Sequence, residues 1–116
     1  MSIELPKADE LSVAATLLLI GQGAVLLDVR SPSEFRAGHA PGSQHVGLPW
    51  VALDAPAVIG DRPVVTVCSS GYRSSQAAAV LARAGSRAYS LSGGLHAWQR
   101  AGQPLVDARG RRGEII

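Results

Sequence analysis

Two uninterrupted apolar runs of strand length place the strongest constraint on how this chain folds. Residues 24–29 read AVLLDV and residues 63–68 read PVVTVC, without alternation of polar and apolar side chains. A run of this kind is typical of a strand covered on both faces, as in a parallel sheet. The chain is therefore predicted to form its core around a central sheet.

Segments with helical spacing alternate with these strands. Apolar residues recur every three or four positions over 11–19, behind Asp9 and Glu10, which are interpreted as an acidic first helical turn, and again over 77–84. Further short helices are predicted near 33–36, within 49–62 and from Gly93 and Gly94 to Arg100, and further strands over 43–48 and 88–91. Strand and helix alternate throughout, which predicts an α/β fold with a largely parallel sheet covered on both faces.

The length and the cysteine content restrict the possible classes of protein. A chain of 116 residues with 47% hydrophobic content is expected to form one domain over residues 1–116, with 105–116 as a C-terminal tail. The single cysteine excludes an internal disulfide framework, a Cys-rich zinc site and a two-cysteine redox motif. His45 and His96 have no partners at ligand spacing, so no metal is expected.

Charge and hydropathy give no sign of nucleic-acid or membrane binding. The formal net charge is only +2, and a cluster of arginines near the end of the chain is interpreted as a solvated terminus. The longest uncharged stretch, 11–27, is interrupted by Gly21 and Gly23 and is too short on either side to span a bilayer. It also lacks the basic leader of a secretory signal, so a cytoplasmic protein is expected.

Cys68 is the residue with the clearest chemical potential. It ends a predicted buried strand, at the sheet edge where sites of parallel sheets lie, and a Ser-Ser-Gly-Tyr-Arg-Ser loop joins it to a helix. Backbone N–H groups of such a loop can surround one point and stabilise an anion, first of all the cysteine thiolate. Without that loop, a lone cysteine at a strand end would be interpreted as a small buried hydrophobe.

Four ordered segments resemble the successive motifs of the rhodanese domain, over about residues 10–104. They read LLDVRSPSEF at 26–35, GHAPGS at 38–43, CSSGYRS at 68–74 and GGLHAW at 93–98. The resemblance implies a five-stranded parallel sheet flanked by helices and a stand-alone sulfurtransferase that needs no metal or organic cofactor.

The resemblance also implies a mechanism and a set of site residues. The Cys68 thiolate attacks the outer sulfur of thiosulfate or a similar donor, and the resulting persulfide passes its sulfur to cyanide, a thiol or a dithiol protein, with ping-pong kinetics. The expected substrate-binding residues are those of the loop: Ser69, Ser70, Gly71, Tyr72, Arg73 and Ser74.

Loop length separates this activity from phosphoryl transfer. Four residues lie between Cys68 and Arg73. Related cell-cycle phosphatases and arsenate reductases have five residues between cysteine and arginine, and the extra residue widens their loop for a phosphoryl group. The shorter loop of this chain favours sulfur transfer. Two roles for Arg73 stay open: binding the donor anion, or pairing with Asp28.

The other motif residues are interpreted as structural. Asp28 and Arg30 are expected to hold the loops at the sheet edge, with Arg30 paired to Glu34, and His39 is expected to form a hydrogen bond within its turn. Trp50 and Trp98 are interpreted as core residues, although Trp50 or Tyr72 at the mouth of a pocket is a second reading.

Two further functions remain beside the small-molecule enzyme. One is a sulfur-relay module that delivers persulfide sulfur to a partner protein. The other is a binding domain without catalysis, which the presence of Cys68 disfavours.

Overall fold

A computed structural model describes residues 9–116, and its centre is a five-stranded, wholly parallel sheet. The strands, in chain order, are β1 (Asp9–Leu11), β2 (Val25–Asp28), β3 (Gln44–His45), β4 (Val64–Val67) and β5 (Ala88–Leu91). Their order across the sheet is β1-β5-β4-β2-β3. The chain therefore reverses its direction of winding between β2 and β4, the position where parallel sheets open a crevice.

Five α-helices connect or follow the strands. They are α1 (Val13–Gly21), α2 (Pro32–Ala37), α3 (Val51–Ile59), α4 (Tyr72–Arg83) and α5 (Gly94–Arg100), with a 3₁₀ turn at Leu48–Trp50 before α3. The predicted α/β class with helices on both faces is confirmed.

The sheet separates two apolar clusters, because side chains of successive strand residues point to opposite faces. One cluster joins alternate residues of β2 and β4 to the inner faces of α3 and α4 and includes Cys68. The other joins the remaining strand residues to α1 and α5 and includes Trp98 and Leu105. Every residue of β2 and β4 is buried, as the two apolar runs predicted.

The start of α1 differs from the sequence prediction. Asp9 and Glu10 lie in β1, where they pair with Tyr89 and Ser90 of β5, and do not form a first helical turn. The helix begins after Ser12, whose hydroxyl accepts the Ala15 N–H at 3.1 Å. A serine N-cap satisfies a free amide at the helix start, so no acidic first turn is required.

The predicted strand over 43–48 is also shorter than expected. Only Gln44 and His45 pair with β2, and the 3₁₀ turn begins at Leu48. Pro49 lacks an N–H and so favours the turn over a longer edge strand.

The C-terminal segment 105–116 packs against the domain. Val106 forms an antiparallel bridge with His39, and the Glu114 N–H donates to the Ala37 carbonyl at 2.9 Å. Leu105 is buried in the cluster with Trp98. This segment therefore covers the carboxyl end of α2.

No helix within residues 9–116 has the length and apolar character needed to cross a bilayer.

Candidate active site

The loop after β4 places Cys68 at the carboxyl edge of the sheet, beside the reversal of strand winding. Gly71 has a φ of 110°, which lets the chain turn sharply from the strand into α4. The first turn of α5 supports the loop from the other side, because the Leu95 N–H donates to the Cys68 carbonyl at 2.8 Å and the His96 N–H to the Ser69 carbonyl at 3.1 Å. Two helices thus fix the loop.

The Cys68 sulfur lies at the centre of this loop. Its Sγ atom accepts the N–H of Gly71 at 3.1 Å and the N–H of Ser74 at 3.3 Å, and it lies 3.5 Å from the Ser74 hydroxyl oxygen. The residue is only 1% exposed. Donors that converge on one buried atom stabilise a negative charge on it.

Two opposing effects set the pKa of the Cys68 thiol. Burial raises this pKa, since a charged sulfur loses water, but hydrogen bonds from the Ser74 side chain and from the backbone of Ser74, Gly71 and Ser70 lower it by more. The net result is a pKa below the ordinary value of a cysteine. The thiolate, which is the nucleophilic form, is therefore favoured.

A group of buried hydroxyls lies under the loop. Ser74 Oγ is 2.8 Å from Ser90 Oγ of β5 and 3.1 Å from the Gly71 carbonyl oxygen, while the Thr66 hydroxyl donates to the Ser74 carbonyl at 2.7 Å. Ser74, Ser90 and Thr66 are all fully buried. Ser90 was not predicted to be a site residue; the available signal was a serine inside the predicted strand over 88–91.

The ion pairs at the sheet edge differ from both pairings considered in the sequence. Arg73 forms a two-point contact with Glu34 at 2.7 and 2.8 Å and does not pair with Asp28. Arg30 is fully buried and binds Asp28, with its Nη2 2.8 Å from the carboxylate, so its predicted pairing with Glu34 is wrong. The cause is reach: Arg30 and Asp28 lie two residues apart beside β2, whereas Glu34 projects from α2 toward the loop.

The Glu34 side chain is also positioned by hydrogen bonds within its own helix start. It forms a capping box with Ser31, in which the Ser31 N–H donates to Oε1 at 3.1 Å and the Glu34 N–H donates to the Ser31 hydroxyl at 3.3 Å. Hydrogen bonding from Arg73 is the largest influence on the Glu34 carboxyl and lowers its pKa to about 2. The pair is thus fully ionised at neutral pH.

The remaining predicted site residues have different surroundings. The Ser69 hydroxyl donates to Glu34 at 3.4 Å, and the Tyr72 side chain is 75% exposed at the start of α4. His39 Nδ1 lies 2.7 Å from the Phe35 carbonyl oxygen, and its ring stacks on Phe35. Of the predicted loop residues, Gly71 and Ser74 are the ones whose N–H groups lie within hydrogen-bond distance of the sulfur, while the Ser70 backbone contributes to lowering the pKa of Cys68.

A cavity of about 380 Å³ adjoins the loop at Arg73. It is lined mainly by apolar residues that follow β2 and β3, among them Val29, Pro32, Leu48, Pro49 and Trp50. Trp50 is 59% exposed on the rim, so its interpretation as a core residue is wrong, whereas Trp98 is buried at 4% exposure. Within residues 9–116, no three His, Cys, Asp or Glu side chains are grouped so that they could hold a metal.

Sequence and structure comparisons define the class of protein to which this fold and loop belong. The family model for the rhodanese-like domain matches residues 12–101, and the chain belongs to that family.

Individual relatives extend this result. The chain is 37% identical, over 84% of its length and 94% of the relative's, to a thiosulfate sulfurtransferase GlpE from Pseudoalteromonas translucida. It is 36% identical, over 77% of its length and 84% of the relative's, to a sulfurtransferase from Allochromatium vinosum. A rhodanese-related protein from Thermoplasma volcanium superimposes with a TM-score of 0.74 at 26% identity, over 84% of this chain and 97% of that one.

Proposed function

We propose that this protein is a rhodanese-type sulfurtransferase, in which Cys68 carries sulfane sulfur from a thiosulfate-like donor to a thiol acceptor. The observation that carries the proposal is the convergence of the Gly71 and Ser74 N–H groups on the buried Cys68 sulfur, which also lies 3.5 Å from the Ser74 hydroxyl oxygen. The names of the relatives, a thiosulfate sulfurtransferase and a sulfurtransferase, support the same chemistry.

The proposed first half-reaction forms the persulfide. The Cys68 thiolate attacks the outer sulfur of thiosulfate, the bond between the two thiosulfate sulfurs breaks, and sulfite departs with its electron pair. The terminal persulfide sulfur then carries the negative charge. In the proposed intermediate, backbone N–H groups of the loop stabilise this charge in the way an oxyanion hole stabilises an oxygen anion.

The second half-reaction returns the thiolate. A thiol acceptor attacks the outer persulfide sulfur after losing its proton to solvent, the sulfur–sulfur bond breaks, and Cys68 leaves as thiolate while the acceptor becomes a persulfide. The proposed acceptors are small thiols or a dithiol protein. A cytoplasmic location completes the proposal, because thiols remain reduced in that compartment.

Phosphoryl transfer is disfavoured by the same loop. Phosphoryl transfer needs a cation at the transferred group, but the Arg73 guanidinium is bound at two points to Glu34. The remaining loop side chains, those of Ser69, Ser70 and Tyr72, carry no positive charge.

Intact mass spectrometry of wild type and Cys68→Ser tests the proposed function. Thiosulfate should add one sulfur atom to the wild-type chain, and cyanide should remove it, because a thiolate can store sulfane sulfur and then release it. Cys68→Ser should fold with the same circular dichroism spectrum but gain no mass, because a hydroxyl cannot hold sulfane sulfur. Sulfur uptake by Cys68→Ser, or none by the wild type, would contradict the proposal.

A comparison of acceptors distinguishes the enzyme from the relay module. Turnover of the persulfide form with glutathione and dithiothreitol is measured beside turnover with a reduced dithiol protein such as thioredoxin. A much higher kcat/KM for the protein would favour the relay function. Similar values would favour the small-molecule enzyme.

A further inference from the structure

Ser90 has a single polar neighbour for its side chain. Its hydroxyl is fully buried in β5, and its one hydrogen-bond partner among the described residues is Ser74 Oγ at 2.8 Å. A hydroxyl has one proton to donate, and a buried hydroxyl that does not donate loses free energy. The Ser90 proton is therefore directed at Ser74 Oγ.

This direction determines what the Ser74 hydroxyl can do. Because Ser74 Oγ accepts from Ser90, its own proton is free for the Gly71 carbonyl at 3.1 Å. The Cys68 thiol donates to Ser74 Oγ at 3.5 Å, and once that thiol has lost its proton the sulfur becomes a second acceptor for the Ser74 hydroxyl. If Ser74 donated to Ser90 instead, neither of these acceptors would receive the proton.

The Gly71 carbonyl does not depend on Ser74. It also accepts the Ser75 N–H at 3.1 Å, the first hydrogen bond of α4. When the sulfur is charged, the Ser74 hydroxyl can therefore rotate from the carbonyl to the sulfur without leaving a buried acceptor unsatisfied. A charged acceptor forms the stronger hydrogen bond, so the rotation is favoured in the thiolate form.

We propose that Ser90 is a positioning residue, whose hydroxyl donates to Ser74 Oγ and thereby reserves the Ser74 proton for the anionic sulfur on Cys68. The thiolate exists without a sulfur donor, so the proposal rests on the proposed function only in that this thiolate is the attacking form. Hydrogen bonds in series strengthen one another, so the loss of the Ser90 hydroxyl weakens the bond from Ser74 to the sulfur.

The charged groups around Cys68 are the same in wild type and in variants of Ser90. Arg73 at the start of α4 interacts with the thiolate through its charge. Asp28, the last residue of β2, forms an ion pair with Arg30, and Glu34 of α2 forms an ion pair with Arg73. His96 lies in the first turn of α5, against the loop. None of these is altered by a substitution at Ser90.

The test is the pH dependence of Cys68 alkylation by iodoacetamide, which reports the thiolate fraction without any sulfur donor. Ser90→Ala should raise the apparent pKa of Cys68 by about half a unit, because one hydrogen bond in the series is lost. Ser90→Thr, which keeps the hydroxyl, should restore the wild-type value. Thr66→Val is the matched control, because it removes a neighbouring buried hydroxyl that bonds to the Ser74 carbonyl and not to its hydroxyl.

A double-mutant cycle provides the second measurement. In a Ser74→Ala background, Ser90→Ala should shift the pKa no further, because Ser90 acts through Ser74. A wild-type pKa in Ser90→Ala, an equal shift in Thr66→Val, or an additive shift in the double mutant would each overturn the proposal. Failure of wild type to gain sulfur from thiosulfate would instead overturn the proposed function, and it leaves the alkylation data interpretable.

Discussion

Arg73 and Glu34 determine how much positive charge the loop offers to a donor anion. Their two-point contact is partly exposed, with side-chain exposures of 36% and 18%. The Glu34 pKa is lowered from 4.5 to about 2, chiefly by hydrogen bonding from Arg73. A lowered carboxyl pKa stabilises the fold above the ordinary value, and this stability is lost as the pH falls toward 2. The pair is therefore ionised well below neutral pH.

Replacing Glu34 by glutamine should strengthen the binding of thiosulfate. The substitution removes the negative charge that offsets Arg73, so the KM for thiosulfate should fall roughly two- to fivefold, a modest change because solvent screens the site. Steady-state kinetics at low and high salt measure this, and the gain should shrink at high salt. The matched control is Glu114→Gln, the same change on the exposed C-terminal segment. An unchanged KM in Glu34→Gln would contradict this account of Arg73.

Individual residues show where sequence reasoning was sufficient and where it was not. Cys68 and its loop were identifiable because a strand, a glycine-containing turn and a helix follow one another in the chain. The pairing of Arg73 with Glu34 was not, because these residues lie 39 positions apart in the chain. The partner of Arg30 was not, because Asp28 and Glu34 both lie within four positions of it. Ser90 lies 16 residues from Ser74 along the chain, and the packing of α4 against β5 brings them together.

At the scale of elements, the start of α5 holds the loop after β4. Gly94 has a φ of 59°, and a side chain there would collide with the Cys68 carbonyl oxygen and approach within 2.6 Å of the Ser69 carbonyl oxygen. These are the carbonyls that accept the first amides of α5. The missing side chain therefore permits the close contact that fixes the loop around the sulfur.

Gly94→Ala should both destabilise the protein and displace the loop. Its cost should be about 3 kcal/mol or more in the free energy of unfolding, because left-handed strain and a backbone collision act together. Gly85→Ala is the control: its φ is 97°, but no atom lies within 4 Å of the added carbon. It should cost about 1–2 kcal/mol from strain alone. Urea unfolding measures the loss of stability in both variants. Equal losses would show that the start of α5 is not in close contact with the loop.

Most elements could be predicted from the sequence because their signals are local. Continuous apolar runs predicted β2 and β4, and Gly93 and Gly94 predicted the start of α5. The edge strands were predicted less well: β1 was not predicted, and β3, expected over 43–48, is only 2 residues long. At 3 and 2 residues both strands are too short to show a period, and their bounds depend on pairing with β5 and β2.

At the scale of the whole molecule, the reactive cysteine and the C-terminal segment pack into different apolar clusters, on opposite faces of the sheet. Cys68 belongs to the cluster on the face of α3 and α4, whereas Leu105 belongs to the cluster on the face of α1 and α5. Leu105 begins the C-terminal segment, next to Pro104, whose carbonyl accepts the Trp98 indole N–H at 2.9 Å. This packing could not be predicted from the sequence, since the segment contains no periodic pattern.

Leu105→Ala should therefore lower stability without changing the chemistry. Leu105 is 6% exposed, and truncating a buried leucine costs about 2–4 kcal/mol in lost burial and an unfilled cavity. Urea unfolding should show this loss, while kcat for sulfur transfer at 25 °C should stay near the wild-type value because the sheet lies between Leu105 and the loop. Ile116→Ala, at a residue that is 67% exposed, is the control and should change stability by less than about 0.5 kcal/mol. A large loss of kcat in folded Leu105→Ala would mean that the C-terminal segment acts on the loop through α2 or α5, and that the two faces of the sheet are coupled.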